Sequence, residues 1–327
     1  MRIESTGFFD LQVNGFAGVD FNNPDCSVEQ LQYATERLRA TGVTRYLPTL
    51  VTSSLERFAG CARALLQFAH PAIAGIHMEG PYISPQDGAR GAHTQDHVIP
   101  ASIEDFESRQ EAAGGCIRLV TLAPEVPGAL GLIEHLVASD VRVAIGHTNA
   151  SPVQIRAAIQ AGATLATHLG NGCAQTLPRH PNFIWEQLAA DELCASLIVD
   201  GHHLPAATVK SLVRAKTAAR TILVTDAIAA AGCAPGSYLI GELAVELSAD
   251  GRVAEPGAAH LAGSALSMQN AVANTVCFTG LSLDEVLPMA SRQPARYLGL
   301  EPSGRMVAEW DQSNCHLNVI EVTTGES

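Results

Sequence analysis

Five short apolar runs in this chain end in residues able to bind metal or move protons: His77-Met78-Glu79-Gly80-Pro81, Gly146-His147-Thr148, Thr167-His168-Leu169, Asp200-Gly201-His202-His203 and Thr225-Asp226-Ala227. Two imidazoles and a carboxylate drawn from separate strands suit a borderline divalent ion such as zinc. A coordination position left to water would make such a site catalytic rather than structural. Taken singly, a histidine after an apolar strand is as readily a hydrogen-bonded core residue. Asp226 follows Ile222-Leu223-Val224, where an unpaired carboxylate is costly unless hydrogen-bonded, paired or beside a metal. It reads either as the cap of a following helix or as a base that orients water and passes the proton to a leaving amine.

These residues converge only if the runs that carry them are neighbouring strands. Eight apolar runs alternate with segments of helical period: 7–15, 44–51, 72–80, 117–125, 142–148, 165–171, 195–203 and 221–228. That alternation predicts βαβ units and a parallel sheet. Eight strands predict an α/β fold, the (β/α)8 TIM-type barrel, whose active site lies at the C-terminal strand ends. The helical segments carry start and stop signals. Ser27 and Gln30 form a capping-box pattern before Leu31, Ala34 and Leu38, with Gly42 as the stop. Ser151-Pro152 opens another helix, with Ile155, Ala158 and Ile159 on one face and Gly162 at its end.

The rhythm breaks after Ile228. Tyr238 to Leu247 alternates like a strand, Asp250-Gly251 signals a hairpin turn, and Arg252 to Ala259 follows. Ser282 to Leu298 has helical period with a Ser282/Glu285 capping box, and Cys315 to Val322 reads as a last strand. The expected division is a barrel from 1–235 and 264–304, with a reduced small β subdomain from 236–263 and 305–327.

Composition bounds the rest. With 327 residues the chain can bury a large core. Its 20 Lys+Arg against 33 Asp+Glu give a net charge of −13, which opposes generic attraction to nucleic acid or anionic membranes. Eight cysteines without a CxxC pair predict reduced, mostly buried thiols. The start of the chain shows no charged-then-apolar leader, and no apolar stretch is long enough to span a bilayer. A cytoplasmic location is the expectation.

The segments GFFDLQVNG (7–15), HMEGPYISP (77–85), GHTNAS (146–151), THLGN (167–171), DGHH (200–203), LVTDAIAAAG (223–232), LAGSALSM (261–268) and PARYLGL (294–300) form an ordered series. Through it the chain resembles the N-acetylglucosamine-6-phosphate deacetylases of the amidohydrolase superfamily. The resemblance implies Glu79, His147 and His168 as metal ligands and Asp226 as general acid/base. It makes His93 a residue that helps polarise the substrate carbonyl and His203 a substrate contact. Gln12 and Asn14 stand where many superfamily members carry His-x-His, which implies one divalent metal per chain, zinc first, with Fe, Mn, Co or Ni as alternatives.

Asn171 and Arg179 keep the family's spacing from His168 in the loop that recognises the sugar phosphate. The family's arginine there reaches from a neighbouring subunit, so the resemblance implies a homodimer. Gly172 would let a phosphate approach the backbone closely. His180-Pro181-Asn182-Phe183-Ile184-Trp185 departs from the family's usual continuation, and the family's β-sandwich is expected to be reduced. His77 shares a strand face with Glu79 and is expected to support it, while His202 is expected on a loop or the surface.

The expected reaction is hydrolysis of an N-acetyl amide on an amino-sugar phosphate, N-acetylglucosamine 6-phosphate giving glucosamine 6-phosphate and acetate. A different acylated sugar or a cyclic amide is the alternative substrate, and a non-catalytic sugar- or metal-binding relic is the third reading.

Overall fold

The computed structural model describes residues 1–240, 243–257 and 260–324. The chain enters through β1 (Arg2–Thr6) and β2 (Phe8–Val13), then makes a small ribbon from β3 (Gly15–Phe16) and β4 (Val19–Asp20). Strand and helix then alternate: α1 (Val28–Ala40), β5 (Val43–Val51), α2 (Leu55–Phe68), β6 (Ile76–Glu79), α3 (Ile103–Ala112), β7 (Ile117–Leu122), α4 (Ala129–Ala138). The series continues with β8 (Arg142–Ile145), α5 (Pro152–Ala161), β9 (Leu165–Ala166), α6 (Phe183–Ala189), β10 (Cys194–Leu197), α7 (Ala206–Lys216) and β11 (Thr221–Leu223).

All eight expected runs become strands, hydrogen-bonded in the parallel order β2-β5-β6-β7-β8-β9-β10-β11. The two end strands meet through a parallel bridge from Val13 to Ala227 and the bonds Asp226 N to Gln12 O (2.9 Å) and Asn14 N to Ala227 O (2.7 Å). Barrel closure therefore runs through the strand ends that carry the candidate residues. Several strands are shorter than their apolar runs. His147 (φ 49°), His168 (φ 28°) and Asp226 (φ 51°) take left-handed backbone conformations, which end strand geometry at the point where these residues appear.

The helices form where the punctuation predicts. Ser27/Gln30 and Ser151/Gln154 make complete capping boxes, and Leu31, Ala34 and Leu38 of α1 and Ile155 and Ala158 of α5 are buried. Ile159 is only partly buried.

The remainder of the chain is β12 (Gly236–Ile240), β13 (Leu243–Leu247), β14 (Val253–Ala254), α8 (Met268–Thr279), α9 (Leu283–Val286), α10 (Arg292–Tyr297), β15 (Arg305–Asp311) and β16 (His316–Thr323). Here the structure differs from the sequence reading. Tyr238 to Leu247 is two antiparallel strands rather than one, with Tyr238 opposite Val245; alternation looks the same in one strand and in two that pair in register. Of Arg252 to Ala259, Val253–Ala254 is a strand, and Ala258 and Ala259 lie outside the described residues. Ser282 to Leu298 keeps its capping box but breaks into α9, a tight turn at Leu287–Ala290 and α10. Pro288, which lacks an N–H, stands at the start of that turn.

The small β structure is two sheets. β12-β13-β14 packs over its own cluster of Ile228, Val245, Leu247, Val253 and Ala262. The other, β1-β15-β16, takes its first strand from the N-terminal end, with Arg2 opposite Glu309 and Thr6 opposite Arg305. The sequence reading contained neither β1 nor β15.

The eight cysteines are free, but only Cys26 and Cys61 are buried, and Cys277 is exposed. The expectation of mostly buried thiols is corrected: helix and loop positions leave most of them partly accessible. No helix among the described residues is long and apolar enough to cross a membrane.

Candidate metal and active site

Glu79 closes β6, and His147 and His168 each follow the last residue of their strand by two positions. Their side chains meet. His168 Nε2 lies 3.0 Å and His147 Nε2 3.3 Å from Glu79 Oε1, and the two imidazole nitrogens are 3.1 Å apart. All three residues are buried, and one ligand atom from each lies within 4.8 Å of the others. Two nitrogens that face each other at this distance have at most one proton to share, and the carboxylate oxygen adds a further lone pair. A divalent cation satisfies such a donor set, so the residues present fit a metal.

The electrostatics agree. Burial alone would raise the Glu79 carboxyl, but the adjoining His147 and His168 hold it well below the usual carboxylate range. Burial disfavours a charged His168, yet the Glu79 carboxylate outweighs it and raises the imidazole above its ordinary value. Carboxylate and imidazole therefore each favour the charged form of the other.

Small residues shape the His147 pocket. Nδ1 of His147 faces Ala89 O at 3.0 Å, and a Cβ on Gly172 would fall 2.8 Å from Nδ1 and 2.9 Å from Cε1. Gly172 has φ +55°, and a Cβ on Gly91 would come 3.2 Å from Cε1 of the same ring. The structure thus gives Gly172 a reason the sequence did not show, close approach to a candidate ligand.

Asp226 is half-buried, and its Oδ1 accepts from Asn14 Nδ2 (2.6 Å) and Gln12 Nε2 (3.1 Å). Gln12 Nε2 also donates to Glu79 Oε1 at 2.8 Å. Gln12 thus ties the candidate base to the candidate ligand, and Asn14, one residue beyond β2, holds the base from a second side. Burial first, and then the Glu79 charge, push the Asp226 carboxyl up to about 6. A carboxylate with that value can hold and release a proton near neutrality.

His93 lies in the loop after β6, with Nδ1 2.8 Å from Thr52 Oγ1 and Nε2 3.8 Å from Glu79 Oε2. Burial and the neighbouring His147 lower it to about 3, so it is neutral. The tautomer that turns an Nε2–H toward the site requires Thr52 Oγ1 to donate to His93 Nδ1 at 2.8 Å rather than to Glu79 O, which lies farther away at 3.4 Å.

His77 points elsewhere. Its nitrogens meet Thr121 Oγ1 (2.8 Å) and Thr49 Oγ1 (3.3 Å), and Thr121 continues to Thr167 (2.8 Å). It therefore joins a buried hydroxyl layer across the barrel and makes no hydrogen bond to Glu79 among the described residues; burial lowers it to about 4.

Glu79, His147, His168, His93, Asn14 and Asp226 line one large cavity of about 1430 Å³ at the barrel mouth, bounded on one side by Ile240 and Leu243 of the β12-β13-β14 sheet and by the adjacent Leu261. Asn171 and Gly172 line it, as does His203, whose Nδ1 lies 2.6 Å from Asp200 Oδ2. His202, expected on a loop or the surface, also lines the cavity and is half-buried. Its Nε2 lies 3.0 Å from Asp250 O in the β13–β14 turn, so the appended sheet draws it inward. Arg179 is exposed and is not among the residues lining its own chain's cavity.

Sequence reasoning missed Thr52, Gly91 and the hydrophobic wall from the appended sheet, none of which had a motif. It also passed over Asp10, although Asp10, Gln12 and Asn14 alternate along one strand face and all three are buried.

The sequence profile of the amidohydrolase family matches residues 5–308. The N-acetylgalactosamine-6-phosphate deacetylase of Escherichia coli O157:H7 is 36% identical over 301 residues, covering 90% of this chain and 78% of the relative. The N-acetylglucosamine-6-phosphate deacetylase of Lysinibacillus sphaericus is 33% identical over 310 residues, covering 93% and 79%. Among solved structures, a mutant N-acetyl-D-glucosamine-6-phosphate deacetylase from Mycobacterium smegmatis in complex with N-acetyl-D-glucosamine-6-phosphate superimposes with a TM-score of 0.87 at 30% identity, covering 98% of this chain and 86% of that one. The Pasteurella multocida N-acetylglucosamine-6-phosphate deacetylase gives 0.88 at 29% identity, covering 99% and 86%.

Proposed function

Because the chain belongs to the amidohydrolase family, a family of metal-dependent hydrolases of C–N bonds, we propose that it removes the acetyl group from an N-acetylhexosamine 6-phosphate. N-acetylglucosamine 6-phosphate is the first substrate, giving glucosamine 6-phosphate and acetate. The observation that carries the reading is the convergence of Glu79, His147 and His168 beside Asp226, with Gln12 bonded to both carboxylates.

Glu79, His147 and His168 would hold one divalent metal, with zinc the first candidate for a site of two nitrogens and one oxygen. When bound, the metal supplies Lewis acidity toward an amide carbonyl and toward water. Asp226 takes one proton from the attacking water and returns it to the amide nitrogen as the C–N bond breaks, giving the neutral amine and acetic acid; the second water-derived proton then passes from the acid to the amine, so acetate and the ammonium form leave. The neutral His93, oriented by Thr52, donates its Nε2–H to the carbonyl oxygen as negative charge develops there. Gln12 and Asn14 spend their amide donors on Asp226 and Glu79, which favours one metal rather than two.

For the sugar phosphate, Asn171, the Gly172 backbone and His203 supply contacts inside the cavity. Arg179, exposed and off its own cavity, supports the reading of a homodimer in which it reaches a neighbour's site.

The test is acetate release by the metal-loaded protein from N-acetylglucosamine 6-phosphate, with the unphosphorylated sugar as comparison. Release from neither sugar would refute the reading. The 36% identity to a galactosamine-type relative favours a second substrate. The galacto epimer belongs in the same assay.

A further inference from the structure

Of the eight junctions between neighbouring barrel strands, the seam between β2 and β11 has no ladder among the described residues, only the Val13–Ala227 bridge and a few bonds at the strand ends. Asp10 lies in that seam, completely buried. Its Oδ1 accepts one backbone N–H from each strand, Gln12 N and Thr225 N, both at 3.2 Å. Oδ2 accepts from Thr225 Oγ1 at 2.6 Å, and Thr225 Oγ1 in turn accepts from Ala227 N at 3.2 Å. Ser264 Oγ donates to Thr225 O, and Ser264 N donates to Asp226 O at 3.1 Å. The residues on both sides of Asp226 are thus fixed through one carboxylate.

No cation pairs with Asp10 among the described residues, and burial pushes its carboxyl up to about 7 against the three hydrogen bonds it accepts. A buried carboxylate without a counter-ion is an expensive fastener, and an apolar pair would close a seam at lower cost. What it supplies that an apolar pair would not is a fixed register. The side-chain amides of Gln12 in β2 and of Asn14, one residue beyond it, reach Asp226 Oδ1 from the same strand face that carries Asp10. A slip between the strands would separate both from the base, which also holds a left-handed backbone.

We propose that Asp10 is a positioning residue for the reaction: by stitching β2 to β11 through Thr225, it holds Asp226 in the conformation and at the distance the proton transfers need. The inference rests on the reading of Asp226 as the base. It acts on kcat more than on metal binding, because Glu79, His147 and His168 come from β6 and the ends of β8 and β9 and β2 touches them only through the Gln12–Glu79 bond, whereas Gln12 and Asn14 both hold Asp226.

The experiment compares wild type, Asp10→Ala and Asp10→Asn by steady-state kinetics, metal analysis, thermal unfolding and crystal structure. Asp10→Ala is expected to lose about a hundredfold in kcat, the scale of a displaced catalytic group, with KM within about threefold and full metal content. Its crystal structure should show the Asp226 carboxylate shifted away from Asn14. Asp10→Asn keeps an oxygen for both amides and should restore kcat to within about tenfold of wild type. An undisplaced Asp226 in Asp10→Ala, or a kcat that falls only in proportion to the folded, metal-loaded fraction, overturns the proposal. Should Asp10→Ala fail to fold, Thr225→Val removes the link from the other strand and is read the same way. Absence of acetate release from wild type would count against the deacetylase reading alone, because the crystallographic displacement tests Asp10 independently of turnover.

Discussion

Adding one methyl group at Gly172 tests how tightly the site is built. Its Cβ would lie 2.8 Å from His147 Nδ1, so the ring or the loop must give about 0.6 Å to reach ordinary contact at 3.4 Å, more than the roughly 0.5 Å a preorganised site tolerates. The ring has little room to move, since Nδ1 is held at 3.0 Å from Ala89 O and Gly91 crowds the same edge. At φ +55° an alanine also costs about 1 to 2 kcal/mol of backbone strain. A shift of that size in a ligand should weaken metal binding by about 10- to 100-fold, the usual scale for disturbing what orients a ligand. Competition with a chromophoric chelator measures this directly on Gly172→Ala, with thermal unfolding of the metal-free protein as control. Wild-type metal affinity in Gly172→Ala would refute the packing argument, whatever happens to KM for the phosphorylated sugar.

Asp226→Asn should lose at least about a hundredfold in kcat while binding metal normally; full activity would remove Asp226 from the mechanism. Since burial raises the Asp226 carboxyl to about 6 in the metal-free protein, its contribution to stability is present at low pH and lost as pH rises from the ordinary carboxylate value to about 6. That contribution amounts to at most about 3 kcal/mol. The urea midpoint of the metal-free protein should therefore fall across this window, and Asp226→Asn should flatten the fall. Thr52→Val, which strips His93 Nδ1 of its partner, should lower kcat by about tenfold without changing metal content. Arg179→Ala, at an exposed position, should shift stability by less than about 0.5 kcal/mol but raise KM for phosphorylated substrate; an unchanged KM would count against the anion-binding role.

Most of the barrel was legible in the sequence because a parallel strand buried on both faces must be a short apolar run, and its helix must announce both ends. Ser27, Gly42, Ser151 and Gly162 did so at the positions where the helices begin and stop. The candidate site was legible for a related reason: a polar residue at the end of such a run has few structural uses, and five runs ended that way. The appended sheets were not. β12 and β13 alternate in register and read as one strand, and β1 and β15 find each other from opposite ends of the chain, a pairing no local pattern encodes. The supports of the site were hidden for a third reason. Thr52, Gly91 and Asp10 act through contacts made across the barrel, and only the closed structure brings them to the residues they hold.

The central claim is tested most directly by metal titration of chelator-stripped protein, with acetate release from N-acetylglucosamine 6-phosphate followed at each addition. Activity should rise in proportion to bound metal and level off at one ion per chain, and His168→Ala should abolish both binding and turnover. Full turnover by the stripped protein, or a metal-saturated protein that releases no acetate from either epimer, would contradict it.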